Sequence, residues 1–281
     1  DNLLFNQNSL NECCYFKNFN FINGDVCDYT LINNLIKKND IIIPLACLVG
    51  APACDKNQKL TKVINYEAQL NIINNLSNDQ ILLFPNTNSG YGIGNIDDMC
   101  DENSPLNPVS LYGKLKVLVE KDVLNRENSI SLRLATVFGS SPRMRLDLLV
   151  NDFVYKLFKD KYLILFEENF RRNFIHVRDV VNAFLFMINN FDNAKNQIYN
   201  VGLSSANLTK KQLALKIKEY IKNSVIVSSE IGKDPDKRDY IVSNKKIENL
   251  GWKPNYSIDD GIKELIKCYS FLSESHTNKN I

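Results

Sequence analysis

Short apolar runs bounded by turn residues alternate along this chain with longer stretches of helical period, the pattern of a parallel sheet covered by helices. Runs at 19–22, 40–44, 81–84, 129–133 and 197–201 predict strands. Between them, residues 29–38 and 60–76 predict helices, the second with Val63, Ile64, Leu70 and Ile73 at helical spacing. A third helix is predicted to open at Asn107-Pro108, where Asn can cap and Pro suits the first turn, and to run to about Leu124. Beyond Phe138-Gly139 the texture changes. A basic turn, Ser141-Pro142-Arg143-Met144-Arg145, leads into a helix over about 146–158, and a strand-like run containing His176 leads into a helix ending near Asn190. Helices are expected over 210–221 and 258–271, with a charged loop at 232–239 between them.

With 281 residues, 44% hydrophobic and 23% charged, the chain can bury one large core or two modest ones. Thirty-four basic residues against thirty-two acidic ones leave a formal charge of +2, too little to draw the chain to nucleic acid or a membrane surface. Seven cysteines without Cys-x-x-Cys spacing, and two histidines, suggest neither a zinc site nor a disulfide framework, so no metal is expected. They read as reduced thiols of a cytoplasmic protein. No apolar run approaches the roughly 20 residues that span a bilayer, and no signal-peptide pattern opens the chain. His176 reads as a structural histidine and Trp252 as core.

The chemistry is carried by Tyr112 and Lys116, four apart and so on one helix face, with Thr87 upstream in Asn86-Thr87-Asn88-Ser89-Gly90-Tyr91-Gly92. A free tyrosine, with a pKa of about 10, is ionised about one part in a thousand at neutral pH. An ammonium roughly 6 Å away, at an effective dielectric of about 20, favours ionisation by on the order of 2 to 3 kcal/mol. Lysine alone falls slightly short of making a general base. A second positive charge, such as an oxidised nicotinamide ring, would bring the phenol near working pH.

Together these segments resemble the extended short-chain dehydrogenase/reductase family, in its sugar-nucleotide epimerase and dehydratase branch, over nearly the whole chain. The resemblance implies a doubly wound parallel (Rossmann) α/β sheet with NAD as cofactor. It implies that Asp25 and Val26, in Gly24-Asp25-Val26-Cys27-Asp28, lie at the adenine, that Leu45 and Ala46 run along the cofactor, and that Asn65 stands where the family has an Asn. Asp1-Asn2 resembles the end of the second strand, where an Asp binds the adenosine ribose and favours NAD over NADP. The family's first strand and glycine-rich turn do not precede Asp1, so the sheet is expected to lack its first strands and the sequence to be part of a longer protein. Ala135 and Val137, in the segment after the sixth strand, border the nicotinamide.

For the substrate, a nucleotide-diphosphate sugar, the resemblance implies that Arg172, in Arg172-Asn173-Phe174-Ile175-His176-Val177, binds the diphosphate, as a guanidinium can do bidentately. Asn88, Ser89, Thr136, Arg143, Arg145, Asn151 and Arg238 are further candidates. Tyr112 would take a hydroxyl proton, Thr87 would bond the same oxygen, and Lys116 would hold the nicotinamide ribose. Dehydratases carry Asp-Glu after the catalytic Thr, where this chain has Asn88-Ser89, so 4,6-dehydration is disfavoured. Oxidation at C4 remains, followed by release of the keto sugar or by return of hydride, as in a 4-epimerase. The Asn-Thr-Asn-Ser-Gly-Tyr-Gly run, the turn after Ser141 and Asp234-Pro235-Asp236-Lys237-Arg238-Asp239-Tyr240 are most similar to the C4-dehydrogenase group acting on GDP-heptose in capsule biosynthesis, favouring a GDP-sugar. A catalytically silent dinucleotide-binding or scaffold protein is the alternative of another class. The expected division is a NAD domain of 1–139 plus 171–202 and a smaller mixed α/β substrate domain of 140–170 plus 203–281, in a homodimer formed through the helices bearing Tyr112 and Asn65.

Overall fold

The computed structural model describes residues 1–5, 9–94, 98–229 and 238–272. Residues 232–237 of the charged loop, including Asp234 to Lys237, lie outside these. Among the described residues the strands are β1 (Ile41–Ile42), β2 (Ile81–Thr87), β3 (Ser129–Leu134), β4 (Thr136–Phe138), β5 (Tyr162–Leu165), β6 (Arg171–His176), β7 (Gln197–Val201), β8 (Asn207–Thr209) and β9 (Val225–Ser228). The α-helices are α1 (Tyr29–Ile36), α2 (Ala51–Lys56), α3 (Gln58–Lys62), α4 (Ala68–Asn75), α5 (Leu111–Leu124), α6 (Leu149–Tyr155), α7 (Val177–Asn189), α8 (Phe191–Ala194), α9 (Lys210–Tyr220), α10 (Lys245–Asn249) and α11 (Ile258–Phe271).

Strands β1, β2, β3 and β7 form one parallel sheet in that order. Alternation along β2 builds a core on each face. Leu82 and Phe84 pack with Val119 and Val123 of α5. Leu83 joins Ile130 and Leu132 against Ala183 and Met187 of α7 and Trp252 on the other side. This is the α/β fold expected, with helices on both faces. A third core, with Leu157, Leu163, Leu213, Ile217, Ile262 and Leu265, gathers α6, α9 and α11 around β5. There β5 pairs in parallel with β9, while β6 joins β4 to β8.

Several elements differ from the sequence reading. Residues 19–22 form no strand, because among the described residues no ladder runs beside them, and Phe21 and Ile22 stay 42% and 44% exposed. Helix α5 opens at Ser110, whose hydroxyl accepts from Gly113 N at 3.1 Å, rather than at Asn107. Such a cap stabilises by about 1 kcal/mol. The helix expected over 60–76 is broken by a π-helical turn, Val63–Glu67, which carries the fully buried Asn65. The helix expected over 146–158 is α6 followed by a second such turn, Lys156–Asp160.

Candidate functional site

A cavity of about 770 Å³ opens at the C-terminal ends of β2 and β3, where parallel α/β sheets place their ligands. Register sets Thr87 beside Leu134 at that edge. The Ser110 cap then fixes Tyr112 in the first turn of α5, and Thr87, Ser110 and Tyr112 all line the cavity. Thr87 Oγ1 accepts from Ser89 N at 3.1 Å and donates to Ser89 Oγ at 2.9 Å. Arg238 also donates to Ser89 Oγ.

Lys116, one turn along α5, is buried, and its ammonium donates to Pro85 O at 2.7 Å and sits 4.6 Å from the centre of the Phe84 ring. The acidification of Tyr112 expected from Lys116 is absent from the charges that act on the phenol. Burial pushes the phenol well above its ordinary value of about 10, and the charges that pull it down are those of Arg238 and Arg145. A further turn on, Glu120 anchors α5 to the sheet. Its carboxylate accepts from Arg133 at 2.6 Å, Ser131 at 2.7 Å and Asn86 at 2.5 Å, while Arg133 reaches Tyr91 at 3.0 Å. Tyr91 in turn donates to Asn200.

Part of the cavity wall is basic. Arg172, 2% exposed, lies on its wall with Arg238 and Tyr240. Residues 238–242 run as a strap held by Gly94 N to Asp239 O at 2.8 Å, Asp239 N to Gly92 O at 3.1 Å and Cys100 N to Ile241 O at 2.8 Å. Asn207 holds Val242 through both backbone groups.

Asn151, also on the wall, is buried, accepting from Gly139 N at 3.1 Å and donating to Arg145 O at 2.9 Å. Arg145 pairs with Asp147 at 2.6 Å, and both line the cavity. Ile164, Leu165 and Phe166 form a wall there, and Lys210, 3% exposed, donates to Phe166 O at 2.9 Å. Lys210 escaped the sequence reading because nothing local marks a lysine in a first helical turn as buried. Two expected contacts are displaced. Arg143 lies off the cavity wall with its guanidinium 3.8 Å from the centre of the Phe5 ring. Asn88 is buried off the wall, and its side-chain amide meets no hydrogen-bond partner among the described residues.

Residues 3–202 match the family described as NAD dependent epimerase/dehydratase. The chain belongs to that family. A putative UDP-glucose 4-epimerase of Methanocaldococcus jannaschii is 27% identical over 261 residues, covering 88% of this chain and 82% of its own. The mouse dTDP-D-glucose 4,6-dehydratase is 25% identical over 295 residues, covering 96% and 81%. Among solved structures, dTDP-glucose 4,6-dehydratase of Bacillus anthracis in complex with NAD superposes with a TM-score of 0.80 at 20% identity, covering 99% of this chain and 88% of that one.

The family's cofactor fits the residues that this epimerase/dehydratase chain presents. Ala135, Thr136 and Val137 line the cavity beside Tyr112, with Val49, Gly50, Pro52 and Ala53 adding a small, apolar wall suited to a flat ring. Gly50, at φ +95°, has open space where a side chain would stand. Leu45 is 71% exposed and Ala46 is exposed, while Asn65 lies behind them, off the cavity wall, holding Leu48 N and O at 2.8 Å each. Asp1, Asn2 and Asp25 meet at a separate place, where Asn2 donates to Asp25 at 3.0 Å and Asp1 O accepts from Gly24 N. Val26 is half-buried next to them. Among the described residues no helix is long and apolar enough to cross a membrane.

Proposed function

We propose that the chain is an enzyme that oxidises C4 of a nucleotide-diphosphate sugar with NAD, in the manner of a GDP-heptose C4-dehydrogenase. One observation carries this: Tyr112 and Thr87 share a single cavity with Arg172 and Arg238, so a reacting alcohol and a diphosphate can be held in one space. Bound NAD supplies the hydride acceptor and a positive ring. Tyr112 Oη receives the C4 hydroxyl proton, and Thr87 Oγ1 bonds the same oxygen as charge develops on it. Because burial holds the phenol protonated on its own, its ionisation depends on added positive charge, with Arg238 and Arg145 contributing part. Lys116 would hold the nicotinamide ribose, and Asp1, Asn2, Asp25 and Val26 the adenosine, with Leu45 and Ala46 along it. Arg172 and Arg238 would take the diphosphate, and Arg145, Asn151 and Thr136 the nucleoside and sugar.

On this reading segments 1–139 and 171–202 hold the dinucleotide, and 140–170 and 203–281 the sugar nucleotide, in a homodimer. A 4-epimerase uses the same groups, and the relatedness to a putative UDP-glucose 4-epimerase supports it equally. Dehydration is less favoured, since Ser89 is engaged with Thr87 and Arg238 and Asn88 is off the wall. Incubation with NAD and GDP- or UDP-sugars, followed by mass spectrometry and sugar analysis, separates the outcomes. Loss of two hydrogens marks a dehydrogenase, an unchanged mass with a new epimer marks an epimerase, and loss of water marks a dehydratase. Tyr112→Phe should slow turnover about a hundredfold or more. Equal turnover in both proteins ends the catalytic reading.

A further inference from the structure

The guanidiniums of Arg172 and Arg238 line one cavity, and a ligand that uses both depends on where each is held. Both stand next in sequence to the members of a single ion pair. Successive side chains of extended backbone point to opposite sides. On β6, Arg172 lines the cavity while Arg171 does not; on the strap, Arg238 and Tyr240 line it while Asp239 does not. Arg171 and Asp239 are therefore joined just behind the wall. Asp239 Oδ1 accepts from Arg171 N at 2.8 Å and from Arg171 Nε at 2.9 Å, and Oδ2 accepts from the guanidinium at 3.2 Å. The backbone adds Tyr240 N to Arg171 O at 3.4 Å. On the cavity side the Arg172 guanidinium donates to Arg171 O at 2.8 Å and lies 5.7 Å from the centre of the Tyr240 ring. Burial works against ionisation of Asp239, but the hydrogen bonds from Arg171 and the charges of Arg171 and Arg172 hold its carboxyl below the usual range.

We infer that Asp239, acting through Arg171, is a positioning residue for diphosphate recognition: it rivets the strap to β6 so that Arg172 and Arg238 stand at a fixed spacing on the cavity wall. The inference rests on the functional reading above and deepens it at the anion-binding part of the site. The advantage is pre-organisation, since a ligand that finds both guanidiniums already placed does not lose affinity to ordering them. The pair is part-exposed, with side chains 18% and 21% accessible, where such a bridge adds little to folding. Its loss should therefore register in ligand affinity far more than in unfolding.

The test is calorimetric titration of the full chain with GDP and with UDP, beside steady-state kinetics with the nucleotide sugar that the chain turns over. Asp239→Asn keeps the shape of the side chain and removes its charge. It is expected to weaken nucleoside diphosphate binding about tenfold and to raise KM by a similar factor, with kcat within about twofold and the melting temperature nearly unchanged. Arg171→Gln should reproduce the loss, and the double variant should lose no more than either alone, because both substitutions break one link. Unchanged affinity in Asp239→Asn, losses that add in the double variant, or a fall in kcat at constant KM overturns the positioning role while leaving the functional reading standing. Failure of the unaltered chain to bind either diphosphate overturns that reading, and this inference with it.

Discussion

Glu120 with Arg133, and Asp239 with Arg171, are both carboxylate–guanidinium pairs serving the same cavity, and they differ in what can reach them. The first joins α5 to the sheet behind Tyr112, with side chains 3% and 4% exposed and every neighbour polar and bonded. The second joins the strap to β6 behind the arginines and is touched by solvent. A buried pair cannot lose one partner without stranding a charge, whereas a pair that solvent reaches in part can hand some of its charge to water. The wall carrying the candidate proton acceptor is thus fixed by folding, and the wall carrying the arginines by contacts that solvent can exchange.

The sharpest way to break this contrast is Arg133→Met. It leaves the Glu120 carboxylate buried and should cost about 3–5 kcal/mol in denaturant unfolding; a loss below about 1 kcal/mol would erase the distinction. Gly139→Ala comes next. Gly139 sits at φ +114°, with a Cβ position 2.5 Å from His176 Nε2, and about 1–3 kcal/mol is expected from the same measurement.

A pH series probes the C-terminal end of β6, where His176 is buried against the part-exposed Glu264. Burial lowers the pKa of His176 below its ordinary 6.5, so the folded chain holds the ring neutral while the unfolded chain takes up a proton near 6.5. Stability should begin to fall as pH drops below that value. The Glu264 carboxyl is buried in part, which opposes its ionisation, yet bonds from Ser140 and the charges of His176 and Arg178 bring it below its ordinary 4.5. A second loss should follow below about pH 4.5 and be flattened in Glu264→Gln, as melting temperatures would show. The smallest expected effect is that of Asp239→Asn on unfolding, at or under about 1 kcal/mol.

What could be read in the sequence was what local pattern determines. Short apolar runs gave β2, β3 and β7, and of the Thr87, Tyr112 and Lys116 set the first two line one cavity while Lys116 stands off its wall with one ammonium hydrogen donated to Pro85 O. Strand β5 was not legible, because a four-residue run becomes a strand only when β9, some sixty positions on, pairs with it. Arg143 read as a ligand residue through the resemblance of its turn to the family, and only the fold shows the Phe5 ring against it. Asp239 looked like one more charge in a polar loop. Its meaning lies in a partner 68 positions away.

The oxygen of Ser89 is shared: Thr87 donates to it from one side and Arg238 from the other. Whatever draws the guanidinium toward a phosphate also alters the environment in which the threonine hydroxyl chooses its direction. On the proposed reading, a diphosphate held by Arg238 and an alcohol held by Thr87 are sensed through one serine oxygen, so the two halves of the ligand bind interdependently.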